Sequence, residues 1–382
     1  KGTEVAPSIP AQWNQPSLAH EAGSERSTAE ISWREFLVDP RMQQVVEQAL
    51  ANNRDLRVAV ANVEKARAQY RIQRADRVPS LAAQGQMERR GGDVPVTEQF
   101  TAGLGVTAFE LDLFGRVRNL SQAALQQYLS TSASQRATQL SLVAEVANAW
   151  LTLAADRELL EIARQTLATR EDGLRLVQRR YDLGDASALE LSQSIALVET
   201  ARSDAARYEA NAQQDINALL VLAGGPVDAE LLPAALTEGV TGVAALPAGV
   251  PGDVLLHRPD IMAAEHQLLA ANANIGAARA AFFPSISLTG SVGSASTELS
   301  GLFDGGTRAW SFVPTISIPI FQGGRLRAGL GEANADRDIA LAQYEKSIQV
   351  GFQEVSDALV QQQSLGTQLQ AQEALVAASD RA

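Results

Sequence analysis

The stretch WSFVPTISIPIF, Trp310 to Phe321, constrains the fold more than any other part of the chain. Trp310, Phe312, Pro314, Ile316, Ile318 and Ile320 are apolar, and the intervening Ser311, Thr315 and Ser317 are polar. A period of two marks a strand whose faces meet unlike surroundings. The preceding PSISLTGSV repeats the pattern, with Ile286, Leu288 and Val292 on one face and Ser285, Ser287, Thr289 and Ser291 on the other. Each run is about ten residues, the length of a tilted bilayer-crossing strand; soluble sandwich strands are nearer five or six. Two similar runs lie upstream. Leu81, Ala83, Gly85 and Met87 alternate with Ser80, Ala82, Gln84, Gln86 and Glu88. Phe100, Ala102, Leu104, Val106 and Ala108 alternate with Gln99, Thr101, Gly103, Gly105 and Thr107.

The strands belong to a larger repeat. Sliding the chain on itself by about 205 to 209 residues aligns much more than the strand pairs. Asp55 falls on Asp260, Arg74 on Arg279 and Pro79-Ser80 on Pro284-Ser285. Gly115-Arg116 falls on Gly324-Arg325, and Glu145-Val146 with Ala149 on Glu354-Val355 with Ala358. The predicted organisation is an extended N-terminal arm over 1–38, a first repeat over 39–223, a connector over 224–257 and a second repeat over 258–382. In the first repeat, Asp39-Pro40 opens a helix to about Asp76, strands occupy about 79–112 and a long helical hairpin covers 118–223. In the second, strands occupy about 284–321 and a long helix begins near Leu326.

Between Arg118 and Leu183 there is no proline, and Gly173 is the only glycine. Such a helix reaches roughly 95 Å, far beyond the globular norm. Leu140, Val143, Val146, Ala147, Trp150, Leu151 and Leu153 give it an apolar stripe. Tyr181-Asp182-Leu183-Gly184-Asp185 breaks it, and Ser187 restarts a helix to about Ala223. The second long helix reaches Ala382 without a return arm; the repeat leads us to expect one of roughly 40 residues beyond it.

Composition excludes several classes. A net charge of −12 argues against a nucleic-acid partner. No apolar run approaches the length of a transmembrane helix. The histidines His20, His257 and His266 show no metal-ligand spacing, and no HExxH, GxSxG or phosphate loop is present. We therefore expect neither catalysis nor a cofactor.

The segments NNRDLRVAVANVEKARAQYRIQRADRVPSL, ELDLFGRVRN, LHRPDIMAAEHQLLAANANIGAARAAFFPSISLTGS, LSGLFDGG and YEKSIQVGFQEVSDAL resemble the OprM branch of the TolC-type outer-membrane factors. These are the exit ducts of Gram-negative tripartite efflux pumps. The likeness covers about 30–382, and LHRPD departs by one residue from the usual double arginine. It implies an α+β membrane protein that forms a homotrimer. Long helices form a periplasmic α-barrel, and four strands per subunit join a shared twelve-stranded β-barrel in the outer membrane. Four strands alone leave open edges that lipid does not tolerate, which independently requires several copies. In that arrangement Ser285, Ser287, Thr289, Thr315 and Ser317 face a water-filled lumen, and Ile286, Leu288, Phe312, Ile316 and Ile318 face lipid. The implied partners are a periplasmic membrane-fusion adaptor and an inner-membrane RND transporter. Adaptor contact falls on the helix-turn tip at Arg180, Tyr181, Gly184 and Asp185. The resemblance also implies lipid anchoring through a cysteine upstream of Lys1, and an acidic gating ring beyond Ala382. The expected cargo is drugs and small amphiphiles; type I protein secretion or metal-ion efflux on the same architecture is the alternative.

Overall fold

The computed structural model describes residues 32–236, 255 and 257–381. Most of the expected N-terminal arm, and 237–254 of the connector, lie outside the described residues. The described end of the arm holds one helical turn, α1 (Trp33–Phe36), where Ser32 accepts from the Glu35 amide. Then follow α2 (Pro40–Asn52), α3 (Arg54–Ala75), β1 (Ala82–Arg90), β2 (Thr97–Leu111), α4 (Arg116–Asp182) and α5 (Ala188–Ala223). After a short 3-10 turn at Ala229–Leu231 come α6 (Pro259–Ala280), β3 (Ser285–Ser296), β4 (Arg308–Ser317) and α7 (Arg325–Ser379).

The duplication is written in the element boundaries. α3 and α6 each span 22 residues and start 205 apart (259 − 54). α4 and α7 start 209 apart (325 − 116). Each is entered through a glycine in the left-handed region, Gly115 at φ 81° and Gly324 at φ 86°. A side chain would be strained at both turns, so glycine marks the strand-to-helix corner in each repeat.

The single helix expected from Asp39 to Asp76 is two helices. Asn53 separates them: its amide group donates to the Leu222 carbonyl at 3.0 Å, and its Oδ1 caps α3 by accepting from the Leu56 amide at 2.9 Å. Asn is neutral as a helix former but strong as a cap, so a tertiary bond decides the break.

The chain divides into two compact units. One contains Asn62–Ala133 and Pro259–Gln353, and therefore the whole sheet. Within it the Ser130 hydroxyl donates to the Ala263 carbonyl at 2.9 Å, and His266 pairs with Gln126 at 2.7 Å. The other unit contains the described residues up to Ala61, Ser134–Arg258 and Glu354 onward. Its core gathers Met42, Val45 and Val46 of α2, Val143, Val146, Trp150 and Leu153 of α4, and Leu219 of α5. Trp150 is fully buried and its indole N–H donates to the Leu231 carbonyl at 2.9 Å, which satisfies its one polar atom. Leu140, expected in the stripe, is exposed; Leu142 takes a core place instead. α5 ends at Gly224 (φ 74°), where an added Cβ would run into the Asn52 carbonyl.

Candidate functional site: a two-faced sheet and a helical tip

The four strands form one antiparallel sheet in the order β1-β2-β3-β4. Cross-strand partners share a face, so the register settles which residues stand together. Ser285 opposes Ser317, Ser287 opposes Thr315, and Thr289 opposes Val313. Ile286 opposes Ile316, Gly290 opposes Phe312, and Val292 opposes Trp310. The polar face continues through Gly103 and Thr101 of β2 to Gln84 and Gln86 of β1. The apolar face continues through Leu104 and Phe100 to Ala83 and Met87. Thus Ser285, Ser287, Thr289, Thr315 and Ser317 lie on one face, and Ile286, Leu288, Phe312 and Ile316 on the other.

Ile318 lies one residue past the end of β4 at Ser317 and is exposed. A second departure lies in β2. The register shifts between Val106 and Phe109, with Ala108 at φ 50°. This bulge drops Ala108 from the apolar series and brings Phe109 and Leu111 opposite Leu288 and Ile286. Thr289 secures it, its hydroxyl accepting from the Ala108 amide at 3.0 Å.

The faces differ in chemistry as sharply as in sequence. The apolar face holds an open hollow of about 490 Å³ lined by Leu81, Leu104, Phe109, Leu288, Val292 and Phe312. Trp310 is 76% exposed, Ile316 64% and Phe312 61%. An exposed continuous surface of large apolar side chains is unstable in water and requires a cover. On the polar face, Ser291 and Ser311 hydroxyls pair at 2.8 Å, and Gln84 donates to Thr107 at 3.3 Å.

At the strand-to-helix corner Asp112 accepts from the Val117 and Arg118 amides at 3.0 and 2.7 Å, which caps α4. Glu110 pairs with Arg116, and Phe114 stacks on Phe283 at 4.7 Å.

At the far end of α4 the turn brings together the four residues expected at the tip. The Gly184 amide donates to the Tyr181 carbonyl at 3.0 Å, and the Asp185 amide to the Arg180 carbonyl at 2.7 Å. This closes the helix with Gly184 at φ 83°. Arg180 is a brace: its guanidinium donates to Glu190 at 2.8 Å and to the Asp185 carbonyl at 3.0 Å. Ser187 caps α5 through the Glu190 amide at 3.0 Å. Ser187-x-x-Glu190 is a capping-box spacing, the signal that would have drawn Glu190 into the site. Leu183, read from the sequence only as part of the helix break, is 83% exposed at the apex and joins Glu190 as a tip residue not expected there.

An amphipathic antiparallel sheet with open edges, grown from paired long helices, defines a subunit of an outer-membrane channel. The chain belongs to the outer membrane efflux protein family, which matches residues 45–225 and 250–382. It is 47% identical over 386 residues to the probable efflux pump outer membrane protein TtgC of Pseudomonas putida, covering 99% of this chain and 79% of that one. It is 47% identical over 385 residues to the antibiotic efflux pump outer membrane protein ArpC of the same species, covering 98% and 79%. Among solved structures it superposes on a membrane protein from Pseudomonas aeruginosa with a TM-score of 0.91 at 43% identity, covering 100% of this chain and 87% of that chain. The expected fold, a TolC-like outer-membrane channel of the OprM type, stands.

Proposed function

We propose that this chain is one third of a passive exit duct that carries antibiotics, organic solvents and similar small amphiphiles out through the outer membrane. The sheet register carries the reading, because in a channel-family member it gathers Ile286, Leu288, Phe312 and Ile316 on one face and Ser285, Ser287, Thr315 and Ser317 on the other. In this reading the apolar face, with Ile286, Leu288, Phe312 and Ile316, meets lipid. The face with Ser285, Ser287, Thr289, Thr315 and Ser317 lines water. β1 and β4 are the two edges of the sheet, and a homotrimer closes them into a twelve-stranded barrel. Transport needs no chemistry in this subunit; an inner-membrane RND transporter supplies the energy and a periplasmic adaptor supplies the docking.

The adaptor engages the tip formed by Arg180, Tyr181, Gly184 and Asp185, with Arg180 holding the turn in shape and Leu183 presenting apolar surface. Lipid anchoring through a cysteine upstream of Lys1 belongs to the same reading and rests on resemblance to the family. Cargo chemistry follows the relatives, which are named for antibiotic and toluene efflux.

Accumulation of a fluorescent efflux dye tests the function. Deleting the gene should raise cellular dye, and restoring the full-length gene should reverse it. Unchanged dye, with a defect in secreted protein or in metal tolerance, would shift the reading to a secretion or metal duct.

A further inference from the structure

The glycines of the sheet are crowded on one face and open on the other. Gly103 of β2 opposes Gly293 of β3 on the polar face. A Cβ built on Gly103 would lie 2.5 Å from the Val292 carbonyl oxygen and 2.9 Å from the Gly293 Cα. One built on Gly293 would lie 2.5 Å from the Gly103 Cα and meet the Ala102 carbonyl oxygen. Neither glycine has a φ in the left-handed region, so conformational freedom is not what they supply. Two residues on, still on the polar face, a Cβ on Gly105 would lie 3.1 Å from the Gly290 carbonyl oxygen. The apolar face is different. A Cβ on Gly85 has its nearest neighbour at 4.0 Å, and one on Gly290 at 3.5 Å.

Opposed Cβ atoms in an ordinary antiparallel pair stand about 4.5–5.5 Å apart. Two backbones that leave no room for them have folded toward each other on that side. Glycine at a tight bend is the usual device for curving a sheet. We propose that Gly103 and Gly293 form a crease that curls the sheet with its polar face inward, the curvature a closed trimeric barrel needs. The sense of curvature is therefore fixed by two missing side chains at the β2–β3 seam as well as by the apolar pattern. The proposal rests on reading the sheet as part of a barrel.

The test is substitution in the full-length protein expressed in the outer membrane, with yield of the folded trimer measured by native mass in detergent. Gly103→Ala and Gly293→Ala should each lower trimer yield about ten-fold or more, since a methyl group forced against backbone cannot be relieved by a rotamer change. Gly85→Ala and Gly290→Ala should assemble like the parent. The far-ultraviolet helical signal of all four variants should match the parent, because the crease lies in the sheet. Normal trimers from Gly103→Ala and Gly293→Ala would overturn the crease. So would equal loss in all four variants, or loss of the helical signal together with the trimer. A parent that is itself monomeric would sink the barrel reading instead.

Discussion

The helical core around Trp150 and the sheet around Leu288 use the same kinds of side chain to opposite ends. In the core, Met42, Val45, Val46, Val146, Trp150 and Leu153 are fully buried by their own chain. In the sheet, Leu104, Phe312, Trp310 and Ile316 stand exposed. Within the core, the Trp150 indole N–H donates to the Leu231 carbonyl, the Asn53 side chain to the Leu222 carbonyl, and Gly224 caps α5. In the sheet one face is apolar and exposed, and β1 and β4 are its edge strands. On the proposed reading, the apolar face of the sheet is where lipid goes and its two edges are where further copies go.

The sharpest way to break the comparison is to injure the core. Trp150→Ala should cost about 3–5 kcal/mol through the cavity it leaves. It also strips the Leu231 carbonyl of its donor. Thermal melting of the helical signal in detergent would fall accordingly; an unchanged melt would mean that α2, α4 and α5 do not share one core. Next in size is Ile316→Arg, which on a lipid-facing strand should cost about 2–4 kcal/mol near the bilayer midplane. Outer-membrane trimer should be lost, whereas Ser287→Arg, one face over, should assemble. If both assemble equally, the faces are misassigned.

A smaller effect is expected at Asp39, which caps α2 through the Arg41 and Met42 amides and pairs with the Arg41 guanidinium at 3.1 Å. Burial pushes its carboxyl up, but the Arg41 side-chain bond, the two amides and the guanidinium charge together hold it below the ordinary value. A depressed carboxyl contributes stability above its unfolded pKa and loses it as pH falls through the folded one. Asp39→Ala should therefore cost about 1 kcal/mol at neutral pH. The gap in melting temperature from the parent should close as pH falls below about 4. A gap that persists in strong acid would assign the loss to packing.

Asp215 is the opposite case. Burial first, and then the neighbouring Asp156 carboxyl, raise its pKa, and its Oδ2 is buried with no hydrogen-bond partner among the described residues. A raised carboxyl stabilises the fold below its unfolded pKa, and that stability is lost as pH rises through the folded value. Asp215→Asn should gain under about 1 kcal/mol at neutral pH and nothing in acid. A loss at neutral pH would show that the charge is wanted there.

The large features of this fold were legible in the sequence because they repeat. Strand alternation, the offset that superposes Gly115 on Gly324, and the proline-free helix all report periods, and periods survive without knowledge of partners. What escaped is what a partner decides. The break at Asn53 depends on the Leu222 carbonyl, far along the chain. The bulge at Ala108 depends on where β3 sets its register and on the Thr289 hydroxyl. Leu140 gave way to Leu142 because helix rotation is set by the neighbours of α4, not by its own stripe. At the tip, Gly184 and Tyr181 could be named from turn chemistry. The role of Arg180 as a brace needed Glu190 in place.

If the polar face of the sheet meets water and the apolar face meets lipid, cysteines placed along β3 and β4 will react accordingly. These 382 residues contain no cysteine, and an anchor cysteine carrying lipid has no free thiol to react, so the signal above that of the unsubstituted parent reports the introduced cysteine. In outer membranes, Ser285→Cys, Ser287→Cys, Thr315→Cys and Ser317→Cys should react with a small water-soluble maleimide. Ile286→Cys, Leu288→Cys and Ile316→Cys should resist it until the membrane is dissolved in denaturant. An alternating pattern of reaction along β3 and β4 is the expected result. Equal reaction at Ser287 and Leu288, or the reverse pattern, would mean that the polar face does not line water.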